Sequence, residues 1–431
     1  MFEKTFDGTK INRAVLAGLN ANCLSREDNA TEESLEELEA LLETAGGECV
    51  GTVLQNKATP DPRTFLGEGK VEELKQLCEG VGADLVIFDN ELSPSQQRVL
   101  TETLGVQVLD RSALILDIFA QRARTSEGRL QVELAQYKYL LPRLTSMWKH
   151  LERQEGAIGT RGPGETQLET DRRLIRKKIT KLEEELKEVR RVRATQRARR
   201  EKNEVPVVAI VGYTNAGKST LLNHLTGADI PANNRLFDTL DTTTRTLELS
   251  DTCTVLISDT VGFISKLPHQ LVEAFKATLE ELEYADLLLH VIDASNPQWR
   301  EQAEVVERLI TELGAWETPR IDAFNKSDLL AGDILPHGES IVALSAKTGE
   351  GVDKLLELLR KRLDQGAHKV KLAIPYDQGG LVDMLYREAK VEKVEYGESI
   401  EVEAVCTPKV LGQVRNYVTE GWKPAKEPWE D

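Results

Sequence analysis

The feature that most constrains this chain is a nine-residue stretch, Gly212-Tyr213-Thr214-Asn215-Ala216-Gly217-Lys218-Ser219-Thr220. The apolar run Val207–Val211 precedes it and the helix-prone segment Leu221–Leu225 follows. Strand, glycine-bearing loop and helix in that order make a phosphate cradle. Glycine lets the backbone wrap closely around phosphate with its N–H groups pointing inward, and the helix N-terminus adds partial positive charge. Lys218 is expected to reach the β- and γ-phosphates, and the Ser219 hydroxyl to ligate Mg²⁺. Residues 204–365 continue as repeated strand–helix units, an α/β pattern.

Three later signals narrow the ligand. The run Val255–Ser258 ends in Asp259-Thr260-Val261-Gly262, which places Asp259 to hold Mg²⁺ through water and the Gly262 N–H to sense a γ-phosphate. Asn325-Lys326-Ser327-Asp328 follows the apolar run Ile321–Phe324. A carboxylate at Asp328 accepts from the N1–H and exocyclic amine of guanine, whereas adenine presents the opposite edge and leaves a buried carboxylate unpaired. Ser345-Ala346-Lys347 follows Ile341–Leu344 and offers its backbone to the base oxygen. The four motifs in this order point to a guanine-nucleotide domain.

The rest of the chain divides by pattern. At 431 residues, two to four domains are expected. Residues 1–125 read as a small α/β domain: strands at Arg13–Gly18, Asp84–Asp89 and Val106–Leu109 alternate with helices at Thr31–Ala45, Lys70–Glu79 and from Pro94, capped by Ser93. Residues 126–203 read as a helical hairpin. Leu130, Leu134, Tyr137, Leu141, Leu144, Trp148 and Leu151 step by alternating fours and threes, a heptad seam in which Pro142 should kink the helix or cost one hydrogen bond. A second seam runs through Ile175, Ile179, Leu182, Leu186 and Val189. Between them, Glu155–Glu165 holds four glycines and a proline, so the seams are expected to pair antiparallel with a long loop at the tip. Residues 204–365 form the nucleotide domain, and 366–431 a small α+β domain with a frayed charged tail, Trp422–Asp431. The fold class is thus α/β: a P-loop domain preceded by a small α/β domain with an antiparallel helical hairpin and followed by a small α+β domain.

These residues carry a resemblance that covers essentially the whole chain. Asn90-Glu-Leu-Ser-Pro-Ser-Gln-Gln97, Leu109-Asp-Arg111 through Asp117-Ile-Phe-Ala-Gln-Arg122, the loop Gly159-Thr-Arg-Gly-Pro-Gly-Glu-Thr-Gln-Leu-Glu-Thr-Asp171, Phe237-Asp-Thr-Leu-Asp241 and Asp259-Thr-Val-Gly-Phe263 resemble the HflX family. The resemblance implies a GTPase, with Mg²⁺ and GTP or GDP in the site. It also implies binding to the large (50S) ribosomal subunit and its rRNA, and splitting or rescue of stalled ribosomes under stress. The hairpin would be the element that reaches RNA, its loop directed toward the peptidyl-transferase region. The first switch needs a Thr for Mg²⁺ and the γ-phosphate. Thr239 in the Phe237 motif is the first choice, with Thr242, Thr243 and Thr244 as alternatives. Lys218, Gly262 and Thr239 are the expected catalytic set. Phe263 stands where Ras-like enzymes carry a water-orienting Gln. It cannot hydrogen-bond water, so slow intrinsic turnover is expected, accelerated when a partner orders the switches or supplies a group; anchoring the switch in the core is a compatible role. Leu66-Gly67-Glu68-Gly69-Lys70 resembles a family Gly-x-Gly-Lys element and leaves a second anion site open.

Charge decides between partners. The net of −17 argues at first against nucleic acid. Its distribution reverses that: residues 172–202 hold fourteen Lys and Arg against five Glu, nine positive charges in excess, which leaves −26 on the other 400 residues. A helix of that density beside a loop carrying Arg161 can track a phosphate backbone. The rival reading, a GTP-dependent adaptor that uses the hairpin as a protein–protein coiled coil, suits the charge less well. No paired carboxylates or His/Cys ligand spacing suggest a nuclease. Cys23, Cys49, Cys78, Cys253 and Cys406 are scattered like reduced structural thiols, and no apolar run of about 18 residues marks a membrane span. A cytoplasmic monomer is expected, with room for a peripherally membrane-associated fraction.

Overall fold

The computed structural model describes residues 12–25, 28–154, 167–201, 205–227, 236–237, 243–250, 253–267, 282, 284–330, 335–363, 368–397 and 399–421. The N-terminal part alternates β1 (Arg13–Ala21), α1 (Glu32–Ala45), β2 (Glu48–Lys57), α2 (Glu68–Val81), β3 (Leu85–Phe88), α3 (Pro94–Leu104), β4 (Gln107–Asp110) and α4 (Arg111–Arg122). Its four strands form a parallel sheet in the order β2-β1-β3-β4. β1 and β3 are buried on both faces, as inner parallel strands must be, and this explains their unbroken apolar runs. β2 lacks such a run because it is a half-exposed edge strand, and the sequence reading passed over it. α4 escaped for the opposite reason: Arg111 to Phe119 are all buried, so no amphipathic period marks it.

Two long helices follow, α5 (Ser126–Gln154) and α6 (Gln167–Glu201). α5 runs through Pro142 without ending. Leu134, Leu182 and Leu186 form a buried cluster joined by Leu130, Tyr137 and Ile179, so the two expected seams do meet. Polar contacts cross the same seam: Lys178 donates to the Tyr137 hydroxyl at 2.6 Å and Lys138 reaches Glu183 at 2.9 Å. Trp148, Leu151 and the tip residues 155–166, Arg161 among them, lie outside the described side chains. The root of α5 has a second face. Val132, Ala135 and Tyr139 join the core beneath α1 and α4.

Asp110 fastens that root. It is fully buried, caps α4 by accepting from the Ala113 N–H at 2.9 Å, and accepts from the Tyr139 hydroxyl at 2.8 Å and Arg143 Nη2 at 3.1 Å. Burial and the facing carboxylate push the Tyr139 phenol well above its ordinary value.

The nucleotide domain holds β5 (Val207–Gly212), α7 (Lys218–Thr226), β6 (Thr243–Ser250), β7 (Cys253–Asp259), β8 (Leu287–Asp293), α8 (Trp299–Glu312), β9 (Arg320–Asn325), β10 (Ile341–Ala343) and α9 (Val352–Leu363). The strands order as β10-β9-β8-β5-β7-β6, parallel except for β6 against β7. The C-terminal part, β11 (His368–Ile374), α10 (Gly379–Glu388), β12 (Lys390–Tyr396), β13 (Ile400–Cys406), α11 (Pro408–Val414) and β14 (Val418–Glu420), is an antiparallel sheet in the order β12-β13-β11-β14 with a buried cluster that takes in Leu385 and Leu411. The expected tail 422–431 lies outside the described residues. No helix among the described residues is long and apolar enough to cross a membrane.

One apolar core runs from the N-terminal sheet into the nucleotide domain, taking in Leu38, Leu114, Ile118 and Phe119 on one side and Val211, Tyr213, Phe237 and Phe263 on the other. Removing Asp110 would uncap α4 and strand the buried Arg143 charge. Asp110→Ala is therefore expected to cost about 3–5 kcal/mol in urea denaturation. Leu186→Ala, which only thins the hairpin seam, should cost about 2–3 kcal/mol.

Candidate functional site

The phosphate loop begins where β5 ends. Gly217, in the left-handed region at φ 94°, turns the chain into α7, and a Cβ there would run into the Asn325 side chain. Asn325 is buried and bridges three motifs. Its Nδ2 donates to Ala216 O at 2.8 Å, while its Oδ1 accepts from the Ala346 N–H at 2.8 Å. Residues 109 and 21 positions away along the chain are thereby held together.

Lys218 is buried and donates to Gly212 O at 3.1 Å and Tyr213 O at 2.7 Å. Burial pushes its ammonium down to about 8, with Asp259 opposing. The Ser219 hydroxyl donates to Asp259 Oδ2 at 2.6 Å. A hydroxyl and a carboxylate this close, at a phosphate loop, are hard oxygen donors within one cation's reach, and the pair fits Mg²⁺. Thr239, expected with them, lies outside the described residues, as does Thr242, while Thr243 and Thr244 open β6.

The segment after β7 is stitched to the loop. The Thr214 N–H donates to Phe263 O at 2.7 Å, the Phe263 N–H to Gly212 O at 3.1 Å, and the Thr260 hydroxyl to Ile210 O at 2.6 Å. Gly262 is packed so closely that a Cβ would sit 3.0 Å from Lys218 Nζ and 3.0 Å from Thr214 Cα.

At the far end, Lys326 is left-handed at φ 62° and its ammonium meets Asp293 Oδ2 at 2.7 Å. Asp293 was not singled out from the sequence; its signal was there, an Asp closing the apolar strand β8. Asp328 is exposed in the turn Ser327–Leu329 rather than buried. Ser345 and Ala346 are buried and Lys347 is exposed.

Two residues expected to line the nucleotide send their side chains elsewhere. The Tyr213 phenol leaves the loop to meet Glu37 and Ser265, and burial together with Glu37 raises it far above its ordinary value. Phe237 is 2% exposed and packs edge-on against Phe119 at 4.6 Å. Both are large rings with apolar surface, and the interdomain core is the nearest place to bury it. Phe263 is buried in the same core.

Comparisons with known proteins agree along the chain. Residues 32–120 match the family model described as GTP-binding GTPase N-terminal, 122–200 GTP-binding GTPase Middle Region, 207–326 50S ribosome-binding GTPase, and 335–429 HflX C-terminal domain. The GTPase HflX of Caldanaerobacter subterraneus subsp. tengcongensis is 51% identical over 90% of this chain and 90% of its own. The chain belongs to the HflX family. The Escherichia coli GTPase HflX is 46% identical over 84% of this chain and 86% of its own. A crystal structure of a GTP-binding protein from Sulfolobus solfataricus in complex with GDP covers 82% of this chain and 99% of its own, with 24% identity and a TM-score of 0.43. As an HflX GTPase the chain binds and hydrolyses GTP.

Lys218 makes that binding pH-dependent. Nucleotide phosphates favour the charged ammonium, which burial otherwise weakens. Above about pH 8 the side chain is therefore expected to take up a proton as nucleotide binds. Affinity for GDP should be level below about pH 8 and fall above it, by up to about tenfold per unit. Titration calorimetry near pH 8.5 in two buffers of different ionisation heat should show uptake of up to about three-quarters of a proton. Heats independent of buffer would contradict the assignment.

Proposed function

We propose that this HflX GTPase binds the large ribosomal subunit in its GTP state, with the α5–α6 hairpin against rRNA, and that it splits or rescues stalled ribosomes under stress. The observation that carries the reading is the concentration of positive charge on α6, on an otherwise acidic chain. The match of residues 207–326 to a family described as 50S ribosome-binding GTPase supports it. Among the described side chains, Lys181 turns to Glu185 at 3.6 Å and Arg191 to Glu188 at 2.8 Å. Exposed pairs of this kind are worth about 0–1 kcal/mol, so phosphate can displace them. Arg190 and Arg193 lie on α6, and their side chains are outside the described set.

In this reading Lys218 and N–H groups of the loop 212–220, other than the one Thr214 gives to Phe263 O, hold the β- and γ-phosphates. Ser219, Asp259 and Thr239 hold Mg²⁺, which when bound neutralises charge developing on the phosphate oxygens. The Gly262 N–H contacts the γ-phosphate. Asp328 accepts from guanine, whose own bulk covers that exposed carboxylate, and the Ser345–Lys347 backbone contacts the base oxygen. Phe263 orients no water, so the ribosome accelerates hydrolysis by ordering the switches or adding a group. A cytoplasmic location and a monomeric state follow the same reading.

Cosedimentation with large subunits should be strong with a non-hydrolysable GTP analogue and weak with GDP. Neutralising Arg190, Arg191 and Arg193 should weaken binding and lower the salt slope by about two to three units. An unchanged slope would favour the adaptor alternative. Single-turnover hydrolysis should quicken with large subunits; equal rates would overturn the stimulation. Asp328→Asn should weaken GTP binding by at least tenfold and strengthen binding of xanthosine nucleotides, whose C2 oxygen accepts from the amide, measured by competition.

A further inference from the structure

Thr214 sits inside the phosphate loop with a hydroxyl that serves neither the loop nor its neighbours. The residue is 6% exposed, and its Oγ1 is buried with no hydrogen-bond partner among the described residues. Other hydroxyls of the site are engaged: Ser219 donates to Asp259 Oδ2 and Thr260 to Ile210 O. A buried hydroxyl left unpaired destabilises the protein that carries it. Such groups are few in native structures, and a functional site is one place where they persist.

The packing of Gly262 places this side chain. A Cβ built on the glycine would lie 3.0 Å from the Thr214 methyl carbon Cγ2, 3.0 Å from Thr214 Cα and 3.0 Å from Lys218 Nζ. The Lys218 ammonium and the Gly262 N–H are the γ-phosphate contacts of the proposed function, and Thr214 stands where they converge. Its backbone is committed elsewhere, since the N–H goes to Phe263 O at 2.7 Å. Phe263 brings no polar side-chain atom, and its ring is buried in the interdomain core. The side chain of Thr214 is what this turn of the loop has to offer a third phosphate.

Threonine suits that task. Branching at Cβ stiffens χ1, and the methyl packed against Gly262 fixes which rotamer is used. The hydroxyl is thereby held in place before nucleotide arrives, so little freedom is lost on binding. The two positions are also coupled: with Thr214 in place, position 262 has room only for glycine.

We propose that the Thr214 hydroxyl donates to a γ-phosphate oxygen and makes the phosphate loop select GTP over GDP. GDP ends at the β-phosphate and leaves Oγ1 unpaired. GTP brings an anionic acceptor, the kind to which a hydroxyl bonds most strongly. This specificity-determining role rests on the reading of Gly262 as a γ-phosphate contact.

The test measures the affinities of GDP and of a non-hydrolysable GTP analogue for the full-length protein without ribosomes, by competition with a fluorescent nucleotide. Thr214→Val removes the hydroxyl at nearly constant shape. It should weaken the analogue about ten- to a hundredfold and leave GDP within about twofold. Thr214→Ala, free of the second methyl, should show the same split. The nucleotide-free Thr214→Val protein should melt no lower than the parent, because an apolar group replaces an unpaired hydroxyl. Thr214→Ser keeps the donor and should hold the ratio of the two affinities within about threefold of the parent. Equal losses for GDP and analogue in Thr214→Val, an unchanged ratio there, or a Thr214→Ser as poor as Thr214→Val would each overturn the proposal. Gly262→Ala tests the underlying reading separately. An analogue affinity intact in Gly262→Ala but lost in Thr214→Val would keep the threonine contact and overturn the role of the glycine. The reverse pattern would overturn the threonine contact alone.

Discussion

The fully buried guanidinium of Arg111 is the contact on which the arrangement depends. A charge in that position costs several kcal/mol unless it is paired and hydrogen-bonded. Glu37 and Asp89 supply the pairing, and the same two carboxylates also receive the phenol of the phosphate loop and the lysine beyond Gly262. Arg111 therefore fastens α1, β3 and α4 to one another and, through them, to the nucleotide site. Around this polar centre the apolar core is continuous, so the N-terminal sheet and the nucleotide domain behave as one packed body rather than two beads on a string.

From that body the charge separates along the chain. The hairpin root is fixed by Asp110, Tyr139 and Arg143, with the Arg143 guanidinium lying 3.7 Å over the Tyr139 ring. α4 is capped by Asp110, opens with Arg111 and carries Phe119 toward its other end. α4 thus touches Phe237 through Phe119 and the hairpin root through its cap Asp110. In the proposed reading, positive charge at α6 and negative charge elsewhere orient the molecule toward a polyanion with the hairpin leading.

Much of this was legible in the residues. Inner strands such as Val207–Gly212 announce themselves because burial on both faces demands an unbroken apolar run. The phosphate loop, Asp259, Asn325 and Ala346 stand close together as their motifs implied. The seams of α5 and α6 were readable as heptads, and Leu134, Leu182 and Leu186 meet. What escaped depends on tertiary context. Glu37 belongs to a helix crowded with glutamates, where a single partly buried carboxylate looks like any solvated one. Asp89 and Arg111 are ordinary charges at element ends until the fold buries them. β2 is polar because it is an edge, and α4 is buried on every side from Arg111 to Phe119, so no period shows. Tyr213 and Phe237 sit in nucleotide motifs, and no motif reveals that their rings point the other way.

The central claim is that nucleotide state and large-subunit affinity are coupled through this body. Coupling between two binding equilibria is reciprocal, so it is visible from the nucleotide side without observing ribosome binding at all. The most direct measurement is the affinity of a non-hydrolysable GTP analogue with and without saturating large subunits. The account predicts that subunits tighten the analogue by the same factor by which the analogue, relative to nucleotide-free protein, tightens the subunit. An analogue affinity that is the same with and without subunits would contradict it.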